Sequence, residues 1–119
     1  MLGIMPIQSV WADSKADALA NAAGSGDLEQ VKTLIEKEGV DINDKESKFG
    51  STALIYASFT GQLEVVKYLI NKGADVNAVM SIEIKGVVYN RTALDWAKTN
   101  AIKEVLKNAG AKSAKEIKK

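Results

Sequence analysis

The chain contains no cysteine and no histidine. Disulfides, thiol nucleophiles, imidazole bases and the usual zinc ligand sets are excluded together. Proline occurs once and aromatic residues make up only 6% of the chain, so there is little to interrupt helices. An excess of either charge is missing as well. Lys and Arg number 16 against 15 Asp and Glu, and a net charge of +1 gives no bulk attraction to nucleic acid. No apolar run is long enough to cross a bilayer. What remains is 119 residues, 46% hydrophobic and 26% charged, which is enough for one packed domain and not for two. The balanced charge hides a polarity. Residues 1–60 carry five Lys against nine acids, and residues 61–119 carry eleven Lys or Arg against six. Ends of opposite sign could steer a charged partner or join copies head to tail, or they are two ordinary solvated ends.

Three segments follow from composition: an apolar stretch over 1–12, a body over 13–111, and a basic tail over 112–119. The first reads MLGIMPIQSVWA. Small residues around Trp11 resemble a signal-peptidase site, although no Lys or Arg precedes them, so the stretch is a signal-peptide remnant or an N-terminal arm. The first reading favours an exported or periplasmic protein, and the second a cytoplasmic one. After Asp13 the pattern becomes helical. Ser14-Lys15-Ala16-Asp17 has the form of a capping box. Leu19, Ala22 and Ala23 follow at helical spacing, Gly24-Ser25-Gly26-Asp27 breaks the run, and Leu28, Val31, Leu34 and Ile35 resume it.

The same unit then returns. Thr52-Ala53-Leu54 opens a helix with Ala57 on its buried face, Thr60-Gly61 turns the chain, and Leu63, Val66, Leu69 and Ile70 form the stripe of a second helix closed by Gly73. Leu19, Leu54 and Leu94 recur 35 and 40 residues apart, a period that marks stacked repeats. Neither helix of such a pair can bury its stripe alone, and about three pairs are the least that make a stable stack. Leu19, Leu54 and Leu94 are expected to fill the seams, with Ala22, Ala23, Ala57 and Ala97 allowing close approach. Tyr56 and Trp96, each directly before an alanine, are read as packing between helices.

The central unit, GSTALIYASFTGQLEVVKYLINKGADVNA from Gly50 to Ala78, resembles the ankyrin repeat, with TAL in place of TPL and GADVNA intact. Weaker echoes run from Ala18 to Asn43 and from Arg91 to Ala111. The resemblance implies an all-α repeat solenoid of stacked helix-turn-helix units with β-hairpin finger loops, here one full repeat between two degenerate capping repeats. It implies a non-catalytic module that binds a protein partner through its fingers and inner helices, without a cofactor or metal. By position it points to Lys48, Phe49, Ser51, Phe59, Thr60, Val79, Tyr89 and Arg91 as contact residues.

Three departures from that pattern stand out. The usual histidine after TPL is Ile55 in the middle unit and Asp95 in the last, where Thr92 to Asp95 forms a fresh capping box. The last unit is short: Thr52 to Gly73 spans 21 residues and Thr92 to Gly110 spans 18. The loss is assigned to Lys98–Ala101, predicting a tight turn or a shortened outer helix. The third departure is a long link, 15 residues from Asn77 to Thr92 against 9 from Asn43 to Thr52. Val79, Ile82, Ile84, Val87, Val88 and Tyr89 around Lys85-Gly86 predict a β-hairpin whose register stays open, since Gly86 could close a two-residue turn or sit in a bulge. Such an apolar finger calls for a cover. Ile82, Ile84 and Val87 therefore join the candidate contacts, unless they fold over the neighbouring finger or the N-terminal arm. Self-association of copies into a homo-oligomer through the finger and the opposite end charges is the alternative function.

Other motifs have plainer readings. Asp41 to Glu46 begins like a calcium loop but has Lys45 and Glu46 where a ligand and the turn glycine belong. Gly24-Ser25-Gly26 follows no strand and precedes no Lys-Ser/Thr, so it is a turn and not a phosphate loop. Asn90-Arg91-Thr92 fits a glycosylation acceptor, and the frame explains it as a turn before a helix. Lys112, Lys115, Lys118 and Lys119 read as a solvated basic end.

Overall fold

A computed structural model describes residues 15–47 and 50–117. The apolar segment over 1–12, Ser14, and the candidate contacts Lys48 and Phe49 lie outside the described residues. Seven helices and one hairpin are present among the described residues. Helix α1 spans Lys15–Ser25, and α2 spans Leu28–Lys32, capped by Asp27, whose carboxylate accepts from Gln30 N. Its continuation, Thr33–Lys37, widens to π-type hydrogen bonding, with Glu38 N donating to Thr33 O at 3.0 Å. Helices α3 (Ala53–Thr60) and α4 (Leu63–Asn71) form the middle pair. Strands β1 (Met80–Ile84) and β2 (Val87–Arg91) follow, then α5 (Ala93–Trp96), α6 (Asn100–Asn108) and α7 (Ala114–Ile117).

Each pair is a helix-turn-helix unit, and like helices touch like. Helix α1 contacts α3 and α3 contacts α5, while α2 contacts α4 and α4 contacts α6. Leu19 and Leu54 are buried in the seams, and Ala23 and Ala57 have no exposed surface, which lets α1 and α3 approach closely. Leu94 is only half-buried. Val31, Val65, Val66, Leu69, Ile102 and Leu106 fill the space between inner and outer layers. At the end of α3, Gly61 adopts φ 88°, and the Lys98 stem lies 3.1 Å from where its Cβ would stand. Any side chain there would meet both penalties.

An asparagine ladder ties successive units. Asn43 Oδ1 accepts from Asp75 N at 2.7 Å, and Asn77 Oδ1 accepts from Lys112 N at 2.7 Å. Asp41 and Asp75 brace the same turns by accepting from Asn43 N and Asn77 N, each at 2.9 Å. The two rungs are chemically identical, so the order of the units is built into the backbone as well as into the core.

One sequence expectation changes, and two segments gain contacts that spacing does not show. The three-residue loss falls in the last inner helix, not in its turn or outer helix: α5 has four residues where α3 has eight, and α6 keeps the nine of α4. Thr99 explains it. Its extended backbone and its hydroxyl, which accepts from Ile102 N at 3.2 Å, start α6 early, and Ala97 (ψ 122°) leaves the helix so that Lys98 N can donate to Ser58 O at 3.0 Å. The capping box expected from Ser14 to Asp17 includes Ser14, outside the described residues, and the Asp17 carboxylate also serves the first finger. Both its oxygens accept from Ser47, from the backbone N and from Oγ, at 2.7 Å each, which pins the first finger. Residues 112–117 are docked through their backbone, with Lys112 and Lys115 exposed and Lys118 and Lys119 outside the described residues. Asp95 Oδ2 accepts from Thr92 N and Ala114 N at 2.9 Å each, Thr92 Oγ1 donates to Lys112 O at 2.8 Å, and Ala114 is buried.

Candidate interaction groove

The hairpin closes through Lys85 (φ 52°) and Gly86 (φ 81°), a two-residue turn with both central residues left-handed, so the bulge alternative is eliminated. Its pairs run from Met80 opposite Arg91 to Ile84 opposite Val87. Because opposed residues share a face, Met80, Ile82, Ile84, Val87, Tyr89 and Arg91 lie on one side. Ser81, Glu83, Val88 and Asn90 lie on the other, where Ser81 Oγ donates to Asn90 Oδ1 at 2.6 Å. Lys45 Nζ donates to Val79 O at 2.9 Å and so fastens the first finger to the second.

The apolar side of the hairpin meets the inner helices. A cavity of about 220 Å³ lies between Met80 and Ile82 of β1, Ile55, Tyr56 and Phe59 of α3, Ser51, and Trp96 of α5. A second hollow of about 420 Å³ adjoins it, sharing Phe59 and Trp96 and bounded by Thr60, Asp95 and Lys98. The Phe59 and Trp96 rings meet edge to face with centroids 5.1 Å apart. Phe59 is nonetheless 51% exposed. The missing turn of α5 accounts for that exposure. Where α3 continues through Ser58, Phe59 and Thr60, the last unit has already turned into Lys98 and Thr99, and no helix covers the Phe59 ring.

The groove floor is held by buried polar contacts. Glu46 is 5% exposed; its N donates to Ser51 O at 2.8 Å, and its carboxylate accepts from Ser51 N at 2.9 Å. Burial pushes the Tyr56 hydroxyl pKa up, and the negative charge of Glu46, to which the hydroxyl is hydrogen-bonded, pushes it further. Tyr56 is thus a strut between α3 and the first finger as well as a wall of the cavity. The Trp96 indole N–H is buried and without a hydrogen-bond partner among the described residues.

The structure sorts the sequence candidates. Phe59, Ile82, Tyr89 and Arg91 gather on the groove side, with Ile84 and Val87 exposed at the hairpin tip and the Arg91 guanidinium 5.6 Å from the Tyr89 ring centre. Thr60 borders the second hollow, and its Oγ1 donates to Tyr56 O at 3.0 Å. Val79 is half-buried and engaged through its carbonyl. Ser51 has no exposed surface, and its Oγ donates to Thr52 O, so it underlies the floor. Glu46, Tyr56, Met80, Trp96 and Lys98 are groove residues that sequence reasoning left out. The available signal was Thr99, a capping residue placed to end the inner helix beside Trp96.

Among the described residues no cluster of three or more acidic residues is arranged to hold a metal ion, and no helix is long and apolar enough to cross a membrane. Comparison with known proteins gives a match to a family model described as ankyrin repeats (3 copies) over residues 19–115. Relatives include ankyrin repeat and SAM domain-containing protein 6 of Rattus norvegicus, 48% identical over 61 residues, which is 51% of this chain and 7% of that protein. Palmitoyltransferase akr1 of Schizosaccharomyces pombe is 43% identical over 58 residues, 49% of this chain and 9% of its own length. Ankyrin repeat domain-containing protein 29 of Danio rerio is 40% identical over 62 residues, 52% of this chain and 20% of its own. The chain therefore spans at most a fifth of each of these three, and the shared part is the repeat region.

Proposed function

The chain belongs to the ankyrin repeat family, and on that premise we propose that it is a non-catalytic module binding a protein partner in the groove between its long hairpin and its inner helices. Ankyrin repeats are generally protein–protein interaction modules, and the pairs read as a short solenoid whose last inner helix has been cut back. The observation that carries the proposal is the unbroken apolar strip from Phe59 and Trp96 through Ile82 to Ile84, Val87 and Tyr89, most of it on exposed positions. An exposed patch of this kind marks a contact surface. The contact residues proposed are Phe59, Thr60, Ile82, Ile84, Val87, Tyr89 and Arg91, with Val79 and Ser51 beneath them; Lys48 and Phe49 of the first finger stay as candidates by position.

The test is Ile84→Asp combined with Tyr89→Ala. Both side chains are exposed, so the thermal midpoint should stay close to that of the parent while capture of a partner from the native host is lost. Retained capture with a large drop in midpoint would mean that the finger packs on this chain and binds nothing. One observation favours a second reading, self-association: Val88 is 57% exposed on the face of the hairpin turned away from the groove. Sedimentation at several salt concentrations separates the two, with a salt-sensitive oligomer supporting contact between copies.

A further inference from the structure

The groove has a rim as well as a floor, and on that rim cations outnumber carboxylates. Lys98 borders the second hollow, Arg91 shares the apolar face of the hairpin, and Lys85 forms its tip. None of the three has a carboxylate within salt-bridge distance among the described residues. Of the nearby acids, Asp95 borders the same hollow as Lys98 and keeps its negative charge, while Glu46 is buried beneath the floor and Glu83 faces away. Asp95 holds Thr92 and Ala114, and Glu46 holds Ser51 and Tyr56. Unpaired cations around an apolar floor favour an occupant of complementary pattern. The smaller hollow of the groove, about 220 Å³, is below the size of about 300–1,000 Å³ typical of small-molecule clefts, and it suits one large side chain. Its walls are the edge-to-face pair of Phe59 and Trp96, a surface on which an incoming ring can stack.

We infer that the groove takes a polypeptide segment bearing an aromatic or large aliphatic side chain flanked by Asp or Glu, the side chain entering between Phe59, Trp96 and Ile82 and the carboxylates meeting Lys98 and Arg91. This rests on the reading of the groove as the binding surface. The occupant's charge is the new element, since the apolar floor alone would accept an anchor with any flanks.

The test uses the full chain as bait for a phage-displayed library of random 12-residue peptides, followed by synthetic versions of the selected peptides. The expected selection is one aromatic or leucine with two or more acids beside it. Replacing those acids by glutamine should weaken binding about tenfold at low salt, and Lys98→Glu with Arg91→Glu should weaken the acidic peptide by a similar factor while improving a lysine-flanked one. Binding indifferent to both changes would overturn the charge inference and leave the groove reading standing. Peptides that bind Phe59→Asp/Ile84→Asp as well as the parent would overturn both. A groove filled by a second copy, seen as peptide binding that competes with dimer formation, would overturn the inference too, as would a preference for vesicles of anionic phospholipid that no selected peptide displaces.

Discussion

The middle and last units begin alike and end differently. Thr52 and Thr92 both cap their inner helices, and α4 and α6 have the same length. Helix α3, however, runs eight residues to a glycine cap, whereas α5 stops after four and the chain straightens through Ala97. In the middle unit Leu54, Ile55 and Ala57 are buried, and neighbouring units lie on both sides. In the last unit Leu94 is half-buried, and Asp95 puts at the position of Ile55 a carboxylate that binds Ala114 back onto the helix start. The shortening of α5 that sets the last unit apart also uncovers Phe59, so this difference and the groove have one structural cause.

That contrast can be broken at its strongest point first. Leu54→Ala should lower unfolding free energy by about 2–5 kcal/mol, the range for buried leucine truncation, while Leu94→Ala should cost about 1–2 kcal/mol because part of its surface is already wet. Equal losses in denaturant unfolding would mean that the two units are equivalent in packing. Asp95→Ala strands the buried start of α5 and frees Ala114, at an expected cost of about 1–3 kcal/mol, and amide exchange should accelerate over 111–117 before it does in α3. Next comes a graft: replacing Lys98-Thr99 by the Ser58–Gln62 sequence SFTGQ restores the three missing residues. Stability should hold, and peptide affinity should fall by at least about tenfold, equivalent to 1.4 kcal/mol, because the lengthened helix covers Phe59.

The smallest effect lies on the outer layer, away from the groove. Tyr68 has the ammonium groups of Lys32 and Lys72 each 5.8 Å from its ring centre, and its hydroxyl donates to the Glu36 carboxylate. Burial first, then this hydrogen bond and the negative charge of Glu36, push the Tyr68 pKa up to about 12 from 10.0. A raised folded-state pKa contributes stability that is whole below pH 10 and is lost as pH climbs toward 12. Tyr68→Phe should flatten that alkaline decline in urea midpoints and leave groove binding unchanged.

The fold was legible because its signals are local and repeated. Leucine and alanine spacing gave the helix pairs, and Lys85-Gly86 within alternating apolar residues gave the hairpin. The ladder through Asn43 and Asn77 was invisible beforehand, because each asparagine caps nothing in its own unit and bonds to the backbone of the next. The contact of Asp17 with Ser47 was invisible for a similar reason: capping boxes are recognised by a spacing of three, and Ser47 lies thirty residues away. The shortened element was misplaced because an inner and an outer helix missing three residues leave the same interval between Thr92 and Gly110; only the capping strength of Thr99 decides between them. Of the groove, the hairpin and Phe59 could be read from position. Trp96 and Lys98 could not, since their exposure depends on where α5 ends.

The most direct test of a groove opened by the short inner helix is an amide and indole shift map, recorded by 1H–15N NMR on the full chain during titration with a library-selected peptide. Shifts should concentrate on Phe59, Ile82, Ile84 and the Trp96 indole N–H, with the outer helices Leu63–Asn71 and Asn100–Asn108 unmoved. A map centred on those outer helices, or on Val88 with the Trp96 signal unchanged, would contradict the account.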